Sequence, residues 1–241
     1  MKKTSADFAC VNSWVFDIDN SLYPAACNLF AQIDARMTGF IENRLGLSRE
    51  EARKLQKAFY VQYGTTLSGL MHEHNVKPHD FMDYVHDIDL TPISENKKLA
   101  GLIKALPGKK YIFTNGSVRH AENVAGKLGI VNLFDGIFDI AAADYKPKPH
   151  RAPYEKFIAR HGIDPTKAAM FEDMACNLEV PHAMGMRTVL VASDAPWLDD
   201  EPASKRPATP SDRHDHVHYL TENLATFLHE IDIESVLSES A

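Results

Sequence analysis

Trp14-Val15-Phe16-Asp17-Ile18-Asp19-Asn20-Ser21-Leu22-Tyr23 is a short apolar run that ends in two carboxylates on alternate residues. An apolar run without alternation reads as a strand buried on both faces, the kind found in the middle of a parallel sheet covered by helices. Asp17 and Asp19 then stand at its carboxyl end, the edge where ligands bind in open α/β sheets. Two acids this close repel, and both stay ionised near neutrality only beside a cation or with a shared proton. A divalent metal is the simplest relief. Taken alone, the same residues also describe a strand end running into an Asx turn, so their meaning depends on what other strands bring to that edge.

Three later stretches bring polar groups of complementary kinds. Tyr111-Ile112-Phe113 is an apolar strand stopping at Thr114-Asn115-Gly116-Ser117, and Ala168-Ala169-Met170-Phe171 is another, stopping at Glu172-Asp173. Between them the loop Ala143 to His150 holds Lys146-Pro147-Lys148-Pro149, whose prolines forbid regular structure. Arg187 to Val191 reads as a further core strand, and Leu133 to Ile140 as another strand segment. Helical patterns fall between the strands: Leu99 to Leu106, a stretch carrying Val124 and Leu128, and Tyr154 to His161. A last helix is expected to carry Leu220, Leu224, Phe227, Leu228 and Ile231. Strands alternating with helices predict an α/β, doubly wound, parallel (Rossmann-like) sheet with right-handed crossovers.

The segment behind the first strand differs. Leu29, Phe30, Ile33, Met37, Phe40, Ile41 and Leu45 share one helical face up to Gly46, and Ser48 with Glu51 forms a capping box for a helix carrying Ala52, Leu55, Phe59 and Tyr63. Tyr63-Gly64-Thr65-Thr66-Leu67 breaks that helix, and two shorter ones follow, about Leu67 to His74 and Phe81 to Val85. An all-helical insert of this length is too long for a loop. The expected organisation is therefore a core of residues 1–23 and 94–241 with a small helical cap domain, 24–93, able to sit over the site. Asp194 to Arg213 is expected to be an irregular excursion. His214, His216 and His218 alternate as strand-edge histidines would, without the acidic or thiolate partners usual at a metal site.

A formal charge of −7 and the lack of long Lys or Arg runs exclude a broad nucleic-acid footprint. No stretch approaches the ~20 apolar residues of a membrane span, and Met1 to Cys10 lacks a signal-peptide core. Three cysteines without metal spacing fit a reducing compartment. A cytoplasmic protein, monomer or homodimer, is expected.

Asp17, Asp19, Thr114, Lys148 and Asp173 together supply what phosphoryl transfer requires, which is chiefly positioning and neutralisation of charge. Asp17 can attack phosphorus to form an aspartyl-phosphate, and Asp19 can protonate the leaving oxygen and later deprotonate water. Mg²⁺, a hard cation that prefers oxygen, would be held by Asp17 and Asp173 with waters and a backbone carbonyl, which brings Asp19 into the metal set. Lys148 and the Thr114 hydroxyl would hold the phosphate, with the amides of Asn115 and Gly116 as an anion nest. Each residue singly has a structural explanation: a strand-end cap, a loop cation, the acidic first turn of a helix.

The set resembles the haloacid dehalogenase superfamily from Trp14 to about Ile231. Phe16-Asp17-Ile18-Asp19-Asn20-Ser21-Leu22-Tyr23 looks like its first motif, Phe113-Thr114-Asn115-Gly116 the second, Lys148-Pro149-His150 the third, and Phe171-Glu172-Asp173-Met174 with Asn177-Leu178 the fourth. The helical insert after motif one matches a type 1 cap. Asp19-Asn20-x-Leu22-Tyr23 and the stretch Tyr63 to Met71 resemble the pyrimidine 5'-nucleotidase group, in which Thr usually stands at Ser21. The resemblance implies a Mg²⁺-dependent phosphatase acting on a small phosphomonoester such as UMP or CMP. The cap supplies Tyr60, Tyr63, Thr65, Thr66 and several His, able to stack on a flat base and hydrogen-bond its edge, and Tyr63 and Thr65 are the expected contacts to substrate. Asp19 disfavours dehalogenation. Phosphoglycolate, a sugar phosphate, phosphomutase chemistry or a phospho-receiver are the alternatives, although a receiver places its acidic pair before the acceptor strand and here Glu172-Asp173 follows Lys148.

Overall fold

The structure, a computed structural model, describes residues 7–202 and 205–231; the ends of the stretches assigned to the core, 1–6 and 232–241, lie outside the described residues. The decisive apolar run forms β1 (Ser13–Phe16), buried along its whole length. It lies between β2 (Lys109–Phe113) and β4 (Ala168–Glu172), parallel to both, with Phe16 opposite Ile112 and Phe171. β3 (Gly136–Phe138), β5 (Arg187–Val191) and β6 (Tyr219–Thr221) complete a six-stranded sheet in the order β3-β2-β1-β4-β5-β6, every pair parallel. The chain thus builds outward from β1 on one side and restarts at β4 on the other, which opens a crevice at the carboxyl ends of β1 and β4.

Side-chain alternation explains the double burial. Trp14 and Phe16 enter one apolar cluster with α5 (Lys97–Ala105), α6 (Val118–Lys127) and α9 (Leu224–Glu230). Val15 enters the other, against α7 (Arg151–His161). Phe16 and Phe171 stack with centroids 4.7 Å apart and ring planes at 10°. Such a pair contributes about 0.5–1.5 kcal/mol beyond the area it buries, and it fastens together the two strands that end in acids.

Residues 24–93 contain α1 (Leu29–Leu45), α2 (Arg49–Tyr63), α3 (Thr66–His74) and α4 (Pro78–Val85), with no strand. They pack around Ile33, Ile41, Phe59, Leu70, Phe81 and Val85, an apolar cluster to which the sheet side adds Ile140 and Tyr145. The helix boundaries follow from local chemistry. Gly46 and Gly64 end α1 and α2 with φ of 67° and 84°, a conformation costly for any side chain with a Cβ. Ser48 and Glu51 make the reciprocal capping box of α2. α4 starts three residues before the expected Phe81, because Pro78 at its first position has no N–H to leave unsatisfied. Gly69 lets α3 lie against α2, since a Cβ there would come within 2.3 Å of the Phe59 ring.

The differences from expectation are local. The segment Leu133 to Ile140 yields only the three residues of β3, preceded by a single tight helical turn, Val131–Leu133. Leu220 belongs to β6 and not to the last helix. His214, His216 and His218 lie in irregular chain before β6, so they do not share one side of a strand. His216 Nε2 meets the Ala175 carbonyl at 2.8 Å and His218 Nδ1 meets the Thr188 hydroxyl at 2.7 Å, so both serve as struts. Between β5 and β6, Pro196–Asp200 forms one short helical turn, and Trp197 Nε1 donates to the Ala25 carbonyl at 2.8 Å, closing the excursion onto the start of the helical segment. α8 (Glu179–Met184) links β4 to β5.

Candidate active site

The carboxyl edge of β1 and β4 brings Asp17, Lys148, Glu172 and Asp173 together, all buried. Asp17 continues the ladder by donating its N–H to the Phe171 carbonyl at 2.9 Å, which fixes its side chain at the rim. Lys148 Nζ donates to Asp17 Oδ1 at 2.8 Å, to Glu172 Oε1 at 2.7 Å and to the Phe113 carbonyl at 2.8 Å. An ammonium has three donors, so all are engaged; contact between Lys148 and an incoming phosphate requires one of these bonds to be released. Lys146 is exposed. Asn115 fixes the backbone of Lys148: its Oδ1 accepts from the Lys148 N–H at 2.8 Å and its Nδ2 donates to the Lys148 carbonyl at 3.2 Å.

Burial raises the Asp17 carboxyl to about 7, with Glu172 and Asp19 adding to the rise and Lys148 opposing it. Burial likewise lifts Asp173 well above the usual carboxylate range, reinforced by Glu172 and Asp17. Lys148 is pushed up: its two carboxylate partners outweigh the cost of burying its charge.

One ligand atom each from Asp17, Glu172 and Asp173 converge within 4.8 Å of one another. Glu172 is engaged on both oxygens: besides Lys148, its Oε1 accepts from Asn177 Nδ2 at 2.7 Å and its Oε2 from the Met174 N–H at 2.9 Å. The Asp173 carboxylate accepts from Asn20 Nδ2 at 3.2 Å on Oδ2. Crowded, buried, oxygen-only donors short of positive charge fit a hard divalent cation, with Asp17 and Asp173 as the side-chain ligands and Glu172 as the anchor of Lys148. The Asp19 carboxylate is not part of this group.

Asp19 turns elsewhere. Its Oδ1 accepts from Tyr23 Oη at 2.7 Å and lies 2.8 Å from His120 Nε2. The ring of His86, immediately after α4, stacks on His120 at 4.3 Å and 15°, and its Nδ1 lies 3.0 Å from the Ser117 hydroxyl. Burial works against charge on Asp19, yet His120 first and then Tyr23 hold it down to about 2, while Asp19 lifts His120. Burial and the adjacent His120 push His86 down to about 3. Neither histidine was read from the sequence as part of the site.

Thr114 is buried at the end of β2, and its Oγ1 accepts from the Gly116 N–H at 2.8 Å. That amide is therefore turned inward onto the threonine, unlike the open nest expected of Asn115 and Gly116. One cavity runs from Asp17, Asp19, Thr114, Asn115, Gly116, Lys148 and Asp173 to the helical segment and the excursion. Thr65 lines it, although its hydroxyl caps α3 by accepting from the Ser68 N–H at 3.1 Å. Tyr63 does not line it: its hydroxyl bonds Glu73 and its ring packs on His72 and Phe59. Tyr60, one turn earlier, faces the cavity in its place, near Trp197 and Lys205 of the excursion. Lys57 bridges Asp34 at 2.7 Å and Glu201 at 2.8 Å, tying α1, α2 and the excursion into one wall.

A thermal consequence follows from the acids. A carboxyl raised in the folded state contributes stability that is complete below its unfolded pKa and is lost as pH rises through its folded pKa. For Asp17 that window runs from the ordinary 3.8 to about 7, and Asp173 acts in the same direction. Millimolar Mg²⁺ should therefore raise Tm clearly at pH 8 and little at pH 5, measured by calorimetry in EDTA and in Mg²⁺. An equal shift at both pH values would contradict this placement of the cation.

The fold and its acidic edge define the class, an α/β protein with a polar site at the carboxyl ends of a parallel sheet. The chain belongs to one family of that class, the haloacid dehalogenase-like hydrolases, whose model matches residues 14–179. Phosphate metabolism protein 8 of Saccharomyces cerevisiae is 28% identical over 193 residues, 73% of this chain; the chain spans about 60% of that relative's length. The fold is similar to that of a HAD phosphatase from Thermococcus onnurineus, with TM-score 0.60, 17% identity and coverage of 94% of this chain and 98% of that one. It is similar too to CbbY from Rhodobacter sphaeroides in complex with phosphate, with TM-score 0.59, 16% identity and coverage of 92% and 99%. L-2-haloacid dehalogenase from Xanthobacter autotrophicus aligns with TM-score 0.55, 14% identity and coverage of 91% and 97%. No helix among the described residues is long and apolar enough to cross a membrane.

Proposed function

We propose that this hydrolase is a phosphomonoester phosphatase working through an aspartyl-phosphate on Asp17, with residues 24–93 as its cap. The observation that carries the reading is the pairing of two differently tuned carboxylates two residues apart: Asp17 against Lys148, and Asp19 against His120 and Tyr23. A dehalogenase has no use for the second, because a halide leaves without a proton, whereas an alkoxide does not.

The Asp17 carboxylate attacks phosphorus while the bond to the leaving oxygen breaks. Lys148 holds the nucleophile and spreads positive charge toward it. Asp19, carrying a proton on Oδ2, gives it to the leaving oxygen; the negative charge of the entering phosphate is what favours that proton, since a like charge raises a carboxyl. In the second half Asp19 takes a proton from water as the water attacks phosphorus and releases Asp17. Here the low Asp19 pKa, about 2, favours the carboxylate form. Asp17 and Asp173 would hold Mg²⁺, which would supply neutralisation of the phosphoryl oxygens. The Thr114 hydroxyl can turn from the Gly116 amide to the phosphate, freeing both as donors.

The substrate we propose is a pyrimidine nucleoside 5'-monophosphate. The sequence resemblance supports it, as does Tyr60, an aromatic wall of the cavity; the yeast relative's name, phosphate metabolism protein 8, agrees with phosphate chemistry. A small base leaves room for the helical segment to close and exclude water. The test is a panel of phosphomonoesters with Mg²⁺: kcat/KM for UMP or CMP should exceed that for AMP or GMP about tenfold, the order of one to three kcal/mol that pocket fit supplies. A sugar phosphate or phosphoglycolate ahead of every nucleotide would remove the pyrimidine assignment and leave the Asp17 chemistry in place.

A further inference from the structure

We infer that His120 is a positioning residue for the acid–base carboxylate, and that His86 makes this positioning depend on how the helical segment is seated; the inference rests on the proposed role of Asp19. Oδ1 of Asp19 meets Tyr23 Oη at 2.7 Å and His120 Nε2 at 2.8 Å. With two partners on Oδ1, the free lone pairs and the exchangeable proton of this carboxyl belong to Oδ2. The carboxylate plane is thereby fixed, and a proton carried on Oδ2 passes to the leaving oxygen as the phosphorus–oxygen bond breaks; the attacking water later returns a proton to the same atom. A carboxyl free to spin would present either oxygen and lose this alignment, to which proton transfer is sensitive.

His120 is itself held. It is buried at the first turn of α6, and the ring of His86 lies flat on it at 4.3 Å. His86 Nδ1 meets the Ser117 hydroxyl, the N-cap of α6, at 3.0 Å. His86 ends the helical segment's last helix, whereas His120, Ser117 and Asp19 belong to the sheet side. The stack is therefore a contact across the two parts of the molecule, made directly behind the acid–base group. Gly116 lies beside the stack: a Cβ there would meet His120 Cδ2 at 3.4 Å and His86 Nε2 at 3.7 Å in ordinary contact and would crowd only the Thr114 hydroxyl, at 3.2 Å. Movement of the segment that lifts His86 frees the His120 ring and with it Asp19.

The test compares a poor leaving group with a good one, because aligned proton donation matters only for the poor one. kcat and KM are measured in Mg²⁺ for UMP, glycerol 2-phosphate and p-nitrophenyl phosphate on the wild type and on His120→Leu, His120→Gln, Tyr23→Phe, His86→Leu and Asp19→Asn. His120→Leu should lower kcat for UMP and glycerol 2-phosphate about 10–100-fold more than for p-nitrophenyl phosphate, with KM moving less than about threefold, the range for losing a hydrogen bond to a charged group. His120→Gln keeps an N–H at the reach of Nε2 and should recover most of that ratio. Tyr23→Phe and His86→Leu should move the ratio in the same direction by smaller factors, and they decide the matter if His120→Leu does not fold. Equal losses on all three esters for His120→Leu, or an unchanged ratio in Tyr23→Phe and His86→Leu, would overturn the inference. If Asp19→Asn leaves the ratio at its wild-type value, the acid–base reading itself fails; if Asp19→Asn collapses the ratio and the His120 variants do not, only the positioning role falls.

Discussion

Asp17→Asn should abolish phosphate release, with kcat falling by about 10⁵-fold or more, the scale on which removal of a covalent nucleophile acts. The size follows from the arrangement of the edge. Lys148 at 2.8 Å favours a negative oxygen at that position, and the acid cluster around it calls for a cation beside it. An amide keeps the shape and removes the nucleophile. The substitution also relieves like-charge crowding with Glu172 and Asp19, both of which raise the Asp17 carboxyl. Asp17→Asn should therefore be at least as stable as the wild type in EDTA above pH 7, where the wild-type carboxyl, with its pKa at about 7, is ionised. Phosphate release by a stabilised Asp17→Asn protein, measured with a continuous phosphate assay, would sink the nucleophile assignment.

Lys148→Met should cost both activity and stability. All three ammonium donors are used, and the side chain is almost wholly buried between Asp17 and Glu172. Removing one partner of a buried ion pair costs about 3–5 kcal/mol, because the remaining charges stay behind without compensation. The sign with pH is fixed. Without the cation, the buried carboxyls are lifted further, so the loss is smallest in acid, where they are protonated, and grows as pH rises through neutrality. Turnover should fall by about 10³-fold, comparable with loss of a preorganised charge stabiliser. The exposed Lys146, changed to Met, should stay within about threefold of wild type, as surface positions do. A reversed order of the two lysines would move the third motif by two residues.

Much of this was legible from the sequence, for identifiable reasons. β1, β2 and β4 each end an unbroken apolar run in a polar residue, and a parallel sheet collects such ends along one edge. Asp17, Thr114 and Asp173 could therefore be placed from spacing alone, and Lys148 with them once the loop was recognised. His120 could not. Its partner Asp19 lies 101 residues away, and on α6 it reads as one more inward residue beside Ala121 and Val124. The one signal available was its place in the first turn of the helix after Thr114, which aims at the same edge. Tyr63 and Tyr60 show a related limit. The helical period assigns residues to faces, but which end of α2 faces the cavity depends on α3, where Glu73 and His72 capture Tyr63. Glu172 was assigned no contact in advance, because nothing in its spacing reveals that Lys148, Asn177 and the Met174 amide occupy both of its oxygens. Leu220 was misplaced because a three-residue strand such as β6 is too short to declare a period.

The covalent step is the centre of the proposed chemistry, and it leaves a chemical trace. An acyl-phosphate on an aspartate is reduced by borohydride to the corresponding alcohol, whereas a free carboxylate is not. Wild-type protein mixed with excess p-nitrophenyl phosphate and Mg²⁺, quenched in acid, reduced and digested, should show the reduced side chain by peptide mass spectrometry at Asp17. The signal should be missing in EDTA and in Asp17→Asn. Steady phosphate release with no reduced residue at Asp17, or with the mark on Asp19 or Asp173, would contradict the mechanism.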